Sequence, residues 1–362
     1  MSVERTKIES GDRLRYDRAA LEQFGAALFR ANGLSEEAAS VTARLLVEAD
    51  AMGHDTHGLA QEAGYLKALD DGHMIADSAP EIVRDKGAAL TWDGRYQPGL
   101  WLTWRAVQAA LERAEQFGTA SIAIRRSHHI GCLAAFLPLI TERGFMGLLY
   151  SSDPAIKAVA PFGAVEQIYT PDPIACGIPT RGEPILIDVS ASGTTIGLSM
   201  RAIAAGEKLG GDWLIDTDGN ATDDPAILMA YPPGALLPLG GADRGHKGFG
   251  LGLMVEALTS GLSGFGRLQG PTHQGASVFL QVFDPDAFGG GEAFLDETQH
   301  LANLCRNART APGAPPVRLP GQRGLALKRE AETDGVPLHP TILPSLQPWT
   351  ERYGIALPQP RR

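Results

Sequence analysis

The stretch TWRAVQAALERAEQFGTASIAIRRSHHIG, residues 103–131, contains the alternation that decides the fold class. Apolar residues recur at helical spacing in its first half and predict a helix over 103–117, which Gly118 ends. The segment ASIAIR, residues 120–125, is typical of a buried strand. A second strand-like segment, AALTWDG, precedes the helix and ends at Gly94. A strand, a helix and a strand in succession predict an α/β domain.

Strand-type segments continue through the middle of the chain, and helical patterns occupy both ends. The runs FMGLLYS and PILIDVS, at 145–151 and 184–190, are apolar and separated by Gly and Pro. Helical spacing of apolar residues predicts helices over 17–32, from Ser35 toward Gly53, and over 291–307.

These patterns divide the chain into two predicted domains. An α/β domain covers residues 81–291, and a helical domain combines 1–80 with 292–362. A Pro- and Gly-rich segment over 231–245 predicts a long loop, which leads into a helix opened by several glycines.

The composition narrows the class of protein. An apolar fraction of 44% and a charged fraction of 20% are typical of a globular protein, and the net charge of -10 argues against nucleic-acid binding. The N-terminus has no apolar signal-peptide core and no run is long enough to span a bilayer, so we expect a cytoplasmic protein. The three cysteines form no CxxC pair. Cys132 is a candidate nucleophile, although a small buried residue at a helix start is the favoured interpretation.

The segment GHDTHG, residues 53–58, places two imidazoles, a carboxylate and a hydroxyl together after a helix. Imidazole is suited to proton transfer near neutral pH, and His57 is the better candidate acid or base. Thr56 can hydrogen-bond that ring or a substrate oxygen, while His54 is a candidate cap for the preceding helix. A zinc site on the two histidines is the alternative, but HExxH is missing and a third ligand is not evident, so we predict no metal.

A second polar segment, SHHIG, follows the strand at 120–125. His129 lies between that strand and Gly131, which predicts a ring facing a cleft; a histidine satisfied in the core is the alternative. Asp188 ends the strand-like run PILID, and ligands bind at such strand ends in open α/β sheets. An ordinary turn-forming aspartate explains the same residue equally well.

The segment GHKGFG, residues 245–250, brings closely spaced glycines to a helix start. Backbone N–H groups there can approach an anion, and Lys247 adds a positive charge. It is neither a Walker loop nor a GxGxxG motif, and the glycines serve close helix packing equally well.

Taken together, several segments resemble the type 2 malate/lactate dehydrogenases, a family that includes sulfolactate and ureidoglycolate dehydrogenases, diketogulonate reductase and piperideine-2-carboxylate reductases. The matching segments occur in order along the chain. They are GHDTHG, SHHIG, VAPFG, ILIDVSAS, WLIDTDGNATDDP, PLGG with GHKGFGL, FDPDAFGG, and RLPGQ with GVPL.

The resemblance implies an NAD(P)-dependent oxidoreductase with a non-Rossmann cofactor domain, a homodimer, and a site in an interdomain cleft. By position, His57 resembles the catalytic acid or base with Thr56 beside it, His129 the second active-site histidine, and Asp188 the acidic partner. The segments that resemble dinucleotide contacts contain Asp188, Ser190, His246, Lys247, Gly248, Pro320 and Gly321.

Four departures from the family pattern surround the site. Gln61 stands where the family usually has an arginine suited to clamp a substrate carboxylate. Other changes are TPDP at 170–173, Gln322 in place of a glutamate, and an inserted GADR at 241–244. Gln61 and His129 are the predicted substrate contacts. Arg244 and Lys157 are the candidates to replace the arginine that binds the substrate carboxylate in the family.

We therefore predict a reductase or dehydrogenase for a small 2-oxo acid, 2-hydroxy acid or cyclic imine acid. Nicotinamide of NADH or NADPH exchanges a hydride with C2, His57 moves the proton, and His129 polarises the carbonyl or imine. A divergent non-catalytic dinucleotide-binding protein and a metal-dependent hydrolase are the alternatives. The sequence leaves the substrate, and the choice between NAD and NADP, open.

Overall fold

A computed structural model describes residues 13–76 and 79–361 of the chain. Residues 1–12 lie outside the described part. The N-terminal segment that was predicted to lack a signal-peptide core falls mostly within them. The described helices are α1 (Arg18–Ala31), α2 (Glu36–Ala51), α3 (Glu62–Asp70), α4 (Gly99–Phe117), α5 (Leu137–Thr141), α6 (Ile196–Ala205), α7 (Gly241–Arg244), α8 (His246–Glu256), α9 (Gly291–Arg306), α10 (Gln322–Asp334) and α11 (Ile342–Tyr353). The strands are β1 (Arg15–Tyr16), β2 (Glu81–Asp85), β3 (Ala89–Gln97), β4 (Thr119–Ser127), β5 (Met146–Ser152), β6 (Pro173–Ile178), β7 (Ile185–Ser190), β8 (Leu214–Ile215), β9 (Ala221–Thr222), β10 (Ala235–Leu236), β11 (Ala276–Phe283) and β12 (Val336–Pro337).

The central element is a seven-stranded sheet in the order β2-β3-β4-β11-β5-β6-β7. The predicted strand–helix–strand alternation appears in β3, α4 and β4, and β3 and β4 are parallel. Every other neighbouring pair in this sheet is antiparallel. The sheet is therefore mixed rather than doubly wound, and the mixed α/β class predicted from the sequence is confirmed.

Helix α4 begins at Gly99, four residues before the predicted start, and ends at Gly118, whose φ of 79° suits a left-handed helix cap. The early start depends on Gly99, because a Cβ there would lie 2.1 Å from the His128 carbonyl oxygen. This close approach packs the first turn of α4 directly against the SHHIG segment.

Both chain ends are helical and contact each other. The Asp17 and Ser35 side chains cap α1 and α2, accepting hydrogen bonds from the N–H groups of Ala20 and Ala38. Strand β1 pairs with β12, and the Tyr353 hydroxyl hydrogen-bonds Asn32 Oδ1 at 2.8 Å. One hydrophobic core joins these helices to α4 and the sheet.

Helix α9 lies elsewhere, against the turn between β6 and β7. The Thr298 hydroxyl donates to the Pro179 carbonyl at 2.8 Å, and the Gly182 N–H donates to Gln299 at 3.0 Å. The predicted domain boundaries at 80/81 and 291/292 stay a prediction.

A small sheet of β10, β8 and β9 packs with α6 around a second apolar cluster. The prediction of one long loop over 231–245 is wrong in detail, because this range contains β10 and α7. Two-residue pairing and a four-residue helix are too short to give a periodic signal. Helix α8 follows at once and continues into a π-helical turn at Ala257–Gly261.

Candidate active site

The GHDTHG segment forms a tight loop at the end of α2. Gly53 has a φ of 79°, and the backbone N–H of His54 donates to the Ala49 carbonyl at 2.8 Å. The predicted cap at His54 therefore involves its backbone, in the manner of a helix C-terminal motif. His57 N–H donates to the His54 carbonyl at 2.8 Å, and Thr56 Oγ1 lies 2.8 Å from His57 Nδ1. The predicted contact of the Thr56 hydroxyl with this ring is present.

A buried carboxyl holds the far side of this loop. Asp50 Oδ2 accepts the N–H of Leu59 at 2.8 Å, and a Cβ on Gly58 would lie 2.3 Å from the Asp50 carboxyl. Only glycine therefore fits after His57. Burial raises the pKa of Asp50 to about 8.

Glu62, at the start of α3, is a second fully buried carboxyl. Both of its oxygens lack a hydrogen-bond partner among the described residues. Burial, together with the charge of Asp50, raises the pKa of Glu62 to about 8. Sequence analysis singled out neither acid, since each occurs within a helical pattern in which exposed acids are usual.

The SHHIG segment carries His129 to the same place. The ring centroids of His57 and His129 are 6.0 Å apart, and His129 Nδ1 lies 2.6 Å from the hydroxyl of Tyr65. Burial, with the nearby imidazoles of His57 and His128, lowers the pKa of His129 to about 3. The neighbouring His128 is buried in the core, and the pKa of its ring is lowered by burial to about 4. The two adjacent histidines thus differ in surroundings, and His129 is the one beside His57.

Asp188 approaches from β7. Its Oδ2 accepts the N–H of Ala134 at 2.8 Å and lies 3.6 Å from Cys132 Sγ. Burial lowers the pKa of His57, whereas the negative charge of Asp188 acts in the opposite direction. The structure therefore brings His57, His129 and Asp188 together from three separate segments.

Cys132 is 4% exposed and precedes a short 3₁₀ turn at Leu133–Ala135, so the interpretation as a small buried residue is confirmed. Burial, reinforced by the carboxylate of Asp188, raises the pKa of the Cys132 thiol well above its usual value. A thiol in this environment is a poor nucleophile.

The residues proposed for dinucleotide contact lie along β7, from Leu186 near its start to Ser190 at its end. The Leu186 N–H donates to the Pro320 carbonyl at 3.2 Å, and a Cβ on Gly321 would lie 2.6 Å from Leu186 Cβ. After β7, the Ser190 hydroxyl donates to the Ser192 carbonyl at 3.2 Å.

Gly248 lies beside the same loop. Its N–H donates to the Leu239 carbonyl at 3.1 Å, and the Leu239 N–H donates to the Ala191 carbonyl at 2.8 Å. His246 and Lys247, immediately before Gly248, are exposed. At Gly248 and Gly321, the space that a Cβ would fill is occupied by neighbouring protein atoms, so these glycines allow close packing of the chain. The exposed Lys247 is the group here that suits a phosphate-containing ligand.

Gln61, at the departure from the family pattern, donates through Nε2 to the Thr56 carbonyl at 2.7 Å. It thereby ties α3 to the GHDTHG loop. The two candidate replacement cations, Arg244 and Lys157, are both exposed, one in α7 and one in the loop after β5.

Sequence analysis did not single out Arg201, a cation that contacts the GHDTHG loop directly. Arg201 of α6 forms an ion pair with Asp55 at 3.0 Å, and Arg13 contacts the same carboxylate at 2.8 Å. Although burial opposes it, the hydrogen bonds and charges of Arg201 and Arg13 hold the pKa of Asp55 below its usual value. Arg201 also contributes to the lowered pKa of His57. It is one turn after Gly197, which faces Thr56, so this face of α6 closes over the loop.

In the ranges 13–76 and 79–361, no three His, Cys, Asp or Glu side chains are grouped so that they could hold a metal ion. Over the same described ranges, no helix has the length and apolar character needed to cross a membrane.

The chain is similar to known proteins of one family. A sequence profile of the malate/L-lactate dehydrogenase family matches residues 16–347. The chain is 34% identical over 318 residues, covering 85% of this chain and 90% of the relative, to the (2R)-3-sulfolactate dehydrogenase (NADP(+)) of Chromohalobacter salexigens. It is 32% identical over 333 residues, covering 88% and 92%, to the Delta(1)-pyrroline-2-carboxylate/Delta(1)-piperideine-2-carboxylate reductase of Pseudomonas syringae pv. tomato.

The fold also matches that of the malate dehydrogenase from Entamoeba histolytica, with a TM-score of 0.90 at 22% identity over 96% of this chain and 100% of that one. The chain belongs to the malate/L-lactate dehydrogenase family. It is an oxidoreductase, a dehydrogenase or reductase of that family, and the resemblance seen in the sequence is confirmed.

Proposed function

We propose that the enzyme transfers a hydride between NADH or NADPH and C2 of a small 2-oxo acid, 2-hydroxy acid or cyclic imine acid. The observation that carries this proposal is the 6.0 Å separation of the His57 and His129 rings, with the Asp188 carboxylate acting on His57. Two imidazoles at this separation can flank one carbonyl or imine. The relatives named for sulfolactate and for cyclic imine acids support the substrate class.

His57 is the proposed proton donor in the reductive direction and the acceptor in the oxidative one. Its Nδ1 is held by the Thr56 hydroxyl at 2.8 Å, which leaves Nε2 as the nitrogen that faces substrate. Burial lowers the pKa of His57. The negative charge of Asp188 favours the charged imidazolium and offsets part of that lowering. A general acid of this kind contributes roughly 100- to 10,000-fold to the rate.

His129 is the proposed group that polarises the carbonyl or imine. Because its pKa is about 3, the ring stays neutral at physiological pH and acts by hydrogen bonding. Gln61 is the second proposed substrate contact. Its amide bonds to the Thr56 carbonyl, which places it next to the GHDTHG loop that carries His57.

The dinucleotide is proposed to lie along β7. Ser190, the segment His246–Gly248 and the pair Pro320–Gly321 would hold it, with Lys247 as a cationic partner for phosphate. When bound, nicotinamide supplies the hydride or accepts it, and the protein contributes orientation and the proton. The name of the sulfolactate relative supports NADP as one candidate cofactor.

We further propose a homodimer. Apolar side chains remain exposed along α8 and the turns after it, with Leu253 at 54%, Leu262 at 57% and Leu268 at 95%. Exposed apolar surface of this kind is typical of a subunit interface. Sedimentation equilibrium that gives a monomer at micromolar concentration would exclude this part of the proposal.

The first experiment measures oxidation of NADH and of NADPH by the purified protein against a panel of 2-oxo acids and cyclic imine acids. We expect turnover with at least one pair. The His57→Gln variant should then lose roughly 100- to 10,000-fold in kcat while remaining folded. His300→Gln, on the exposed face of α9, is the matched control and should retain full activity.

The alternatives give different outcomes. Dinucleotide binding without turnover of any panel member would favour a non-catalytic binding protein. Loss of activity on chelation, restored by a divalent metal, would favour metal-dependent chemistry.

A further inference from the structure

The hydroxyl of Tyr65 is directed at Nδ1 of the His129 ring. Tyr65 belongs to α3, is 3% exposed, and its hydroxyl lies 2.6 Å from His129 Nδ1. Its ring also packs edge-on against His128, with 5.5 Å between centroids. These contacts leave the phenol little freedom to rotate, so its hydroxyl is held beside His129 Nδ1.

A second contact indicates which way the hydrogen bond runs. The backbone N–H of Gly131 donates to the same Nδ1 at 3.4 Å. An amide N–H can only donate, so Nδ1 carries a lone pair and the Tyr65 hydroxyl donates to it as well. A neutral imidazole with a lone pair on Nδ1 carries its proton on Nε2.

The protonation states of both partners agree with this arrangement. His129 is neutral because burial and the adjacent imidazoles lower its pKa to about 3. Burial raises the pKa of Tyr65 above its usual value, so the phenol keeps the proton that it donates.

We propose that Tyr65 is a positioning residue that fixes His129 as the Nε2–H tautomer. His129 then presents an N–H donor to the reacting oxygen or nitrogen of the substrate and cannot take a proton there. Of the two active-site imidazoles, His57 alone exchanges the proton. This inference rests on the proposed function for its catalytic meaning, whereas the tautomer itself does not depend on any substrate.

The consequence for turnover follows from the geometry. Without the phenol hydroxyl, Nδ1 keeps only the long contact from Gly131, and the ring can populate the tautomer with its lone pair on Nε2. That form repels the substrate oxygen. The loss of a buried hydrogen-bond partner corresponds to about 10- to 100-fold in kcat, with little change in KM, since the effect concerns the reacting atoms.

The test combines nitrogen NMR of histidine-labelled full-length protein with kinetics of Tyr65→Phe. In the wild type, His129 Nδ1 should have the shift of an unprotonated imidazole nitrogen and Nε2 that of an N–H nitrogen. His129→Gln identifies the resonances by their disappearance. In Tyr65→Phe, both shifts should move toward the average of two tautomers, and kcat should fall about 10- to 100-fold. Tyr353→Phe, which removes the hydroxyl bonded to Asn32, is the matched control and should leave His129 and kcat unchanged.

The outcomes separate this inference from the proposed function. A proton on His129 Nδ1 in the wild type overturns the inference, and this measurement does not require the variant to fold. A fall in kcat for Tyr65→Phe with an unchanged His129 spectrum also overturns it, because Tyr65 would then act on substrate directly. The expected spectra together with no turnover of any substrate would leave the tautomer established and remove the proposed reaction.

Discussion

Replacing the two buried acids Asp50 and Glu62 by Asn and Gln should change how stability depends on pH. Both carboxyls are buried with pKa values raised to about 8, so each is protonated in the folded state at neutral pH. In the unfolded chain, they ionise near their usual values of about 4. Between about pH 4 and pH 8, the folded state therefore binds more protons than the unfolded state. The free energy of unfolding falls as the pH rises through this range.

The magnitude follows from proton counting. Two protons released on unfolding give a slope of about 2.7 kcal/mol per pH unit between pH 6.5 and 7.5. The pKa values of His57, His128 and His129 are lowered on folding, so these residues add a slope of the opposite sign near pH 6.5. This contribution is common to the wild type and the double variant and cancels in their difference. The isosteric amides cannot ionise, so the double variant should lack the slope that the two acids contribute.

Urea unfolding at pH 6.5, 7.0 and 7.5, followed by tryptophan fluorescence, measures the difference. The wild type should lose about 2.7 kcal/mol relative to the double variant over this interval. Asp71→Asn is the control, since Asp71 is exposed and its bond to Lys67 lowers its pKa, placing its titration far below this window. Parallel pH profiles for wild type and double variant would refute the reasoning, because both acids would then be ionised in the folded protein.

Other substitutions and reagents test Gly321 beside β7, the three cysteines, and Arg201 at the GHDTHG loop. Gly321→Ala should weaken dinucleotide binding at least tenfold and lower Tm, because φ is 82° and the new Cβ would lie 2.6 Å from Leu186 Cβ; a fluorescence titration with an unchanged Kd contradicts this. A thiol reagent should modify Cys305 quickly and the two buried thiols slowly, and Cys305→Ser should abolish the fast phase. Arg201→Met should raise the pKa of His57, moving the limb of the reductive pH–rate profile to higher pH; an unmoved limb means that Arg201 does not act on His57.

Local sequence patterns predicted where the two candidate active-site histidines would lie. His57 and His129 follow a helix and a strand directly, so spacing and glycine punctuation placed both of them on loops held by packed elements. The family resemblance then supplied the expectation that Asp188 joins them. Its hydrogen bond from the Ala134 N–H links residues far apart in the chain, which no local pattern predicts.

The polar residues that support the site were not predictable in this way. Asp50, Glu62 and Tyr65 occupy helical positions that are ordinary for exposed acids or core aromatics. Their roles arise from which side chains meet when α2, α3 and the SHHIG segment pack. The position of β11 is hidden for the same reason, since it pairs with β4 and β5 from much later in the chain.

The placement of β11 sets an order of events during synthesis. Strands β4 and β5 leave the ribosome long before β11, which must insert between them. At 5 to 20 residues per second, the interval is roughly 10 to 30 s. During this time, two strand edges are unpaired, and such edges are templates for association with other chains. A nascent chain that stops before Phe283 is therefore a client for chaperones and proteases rather than a smaller enzyme.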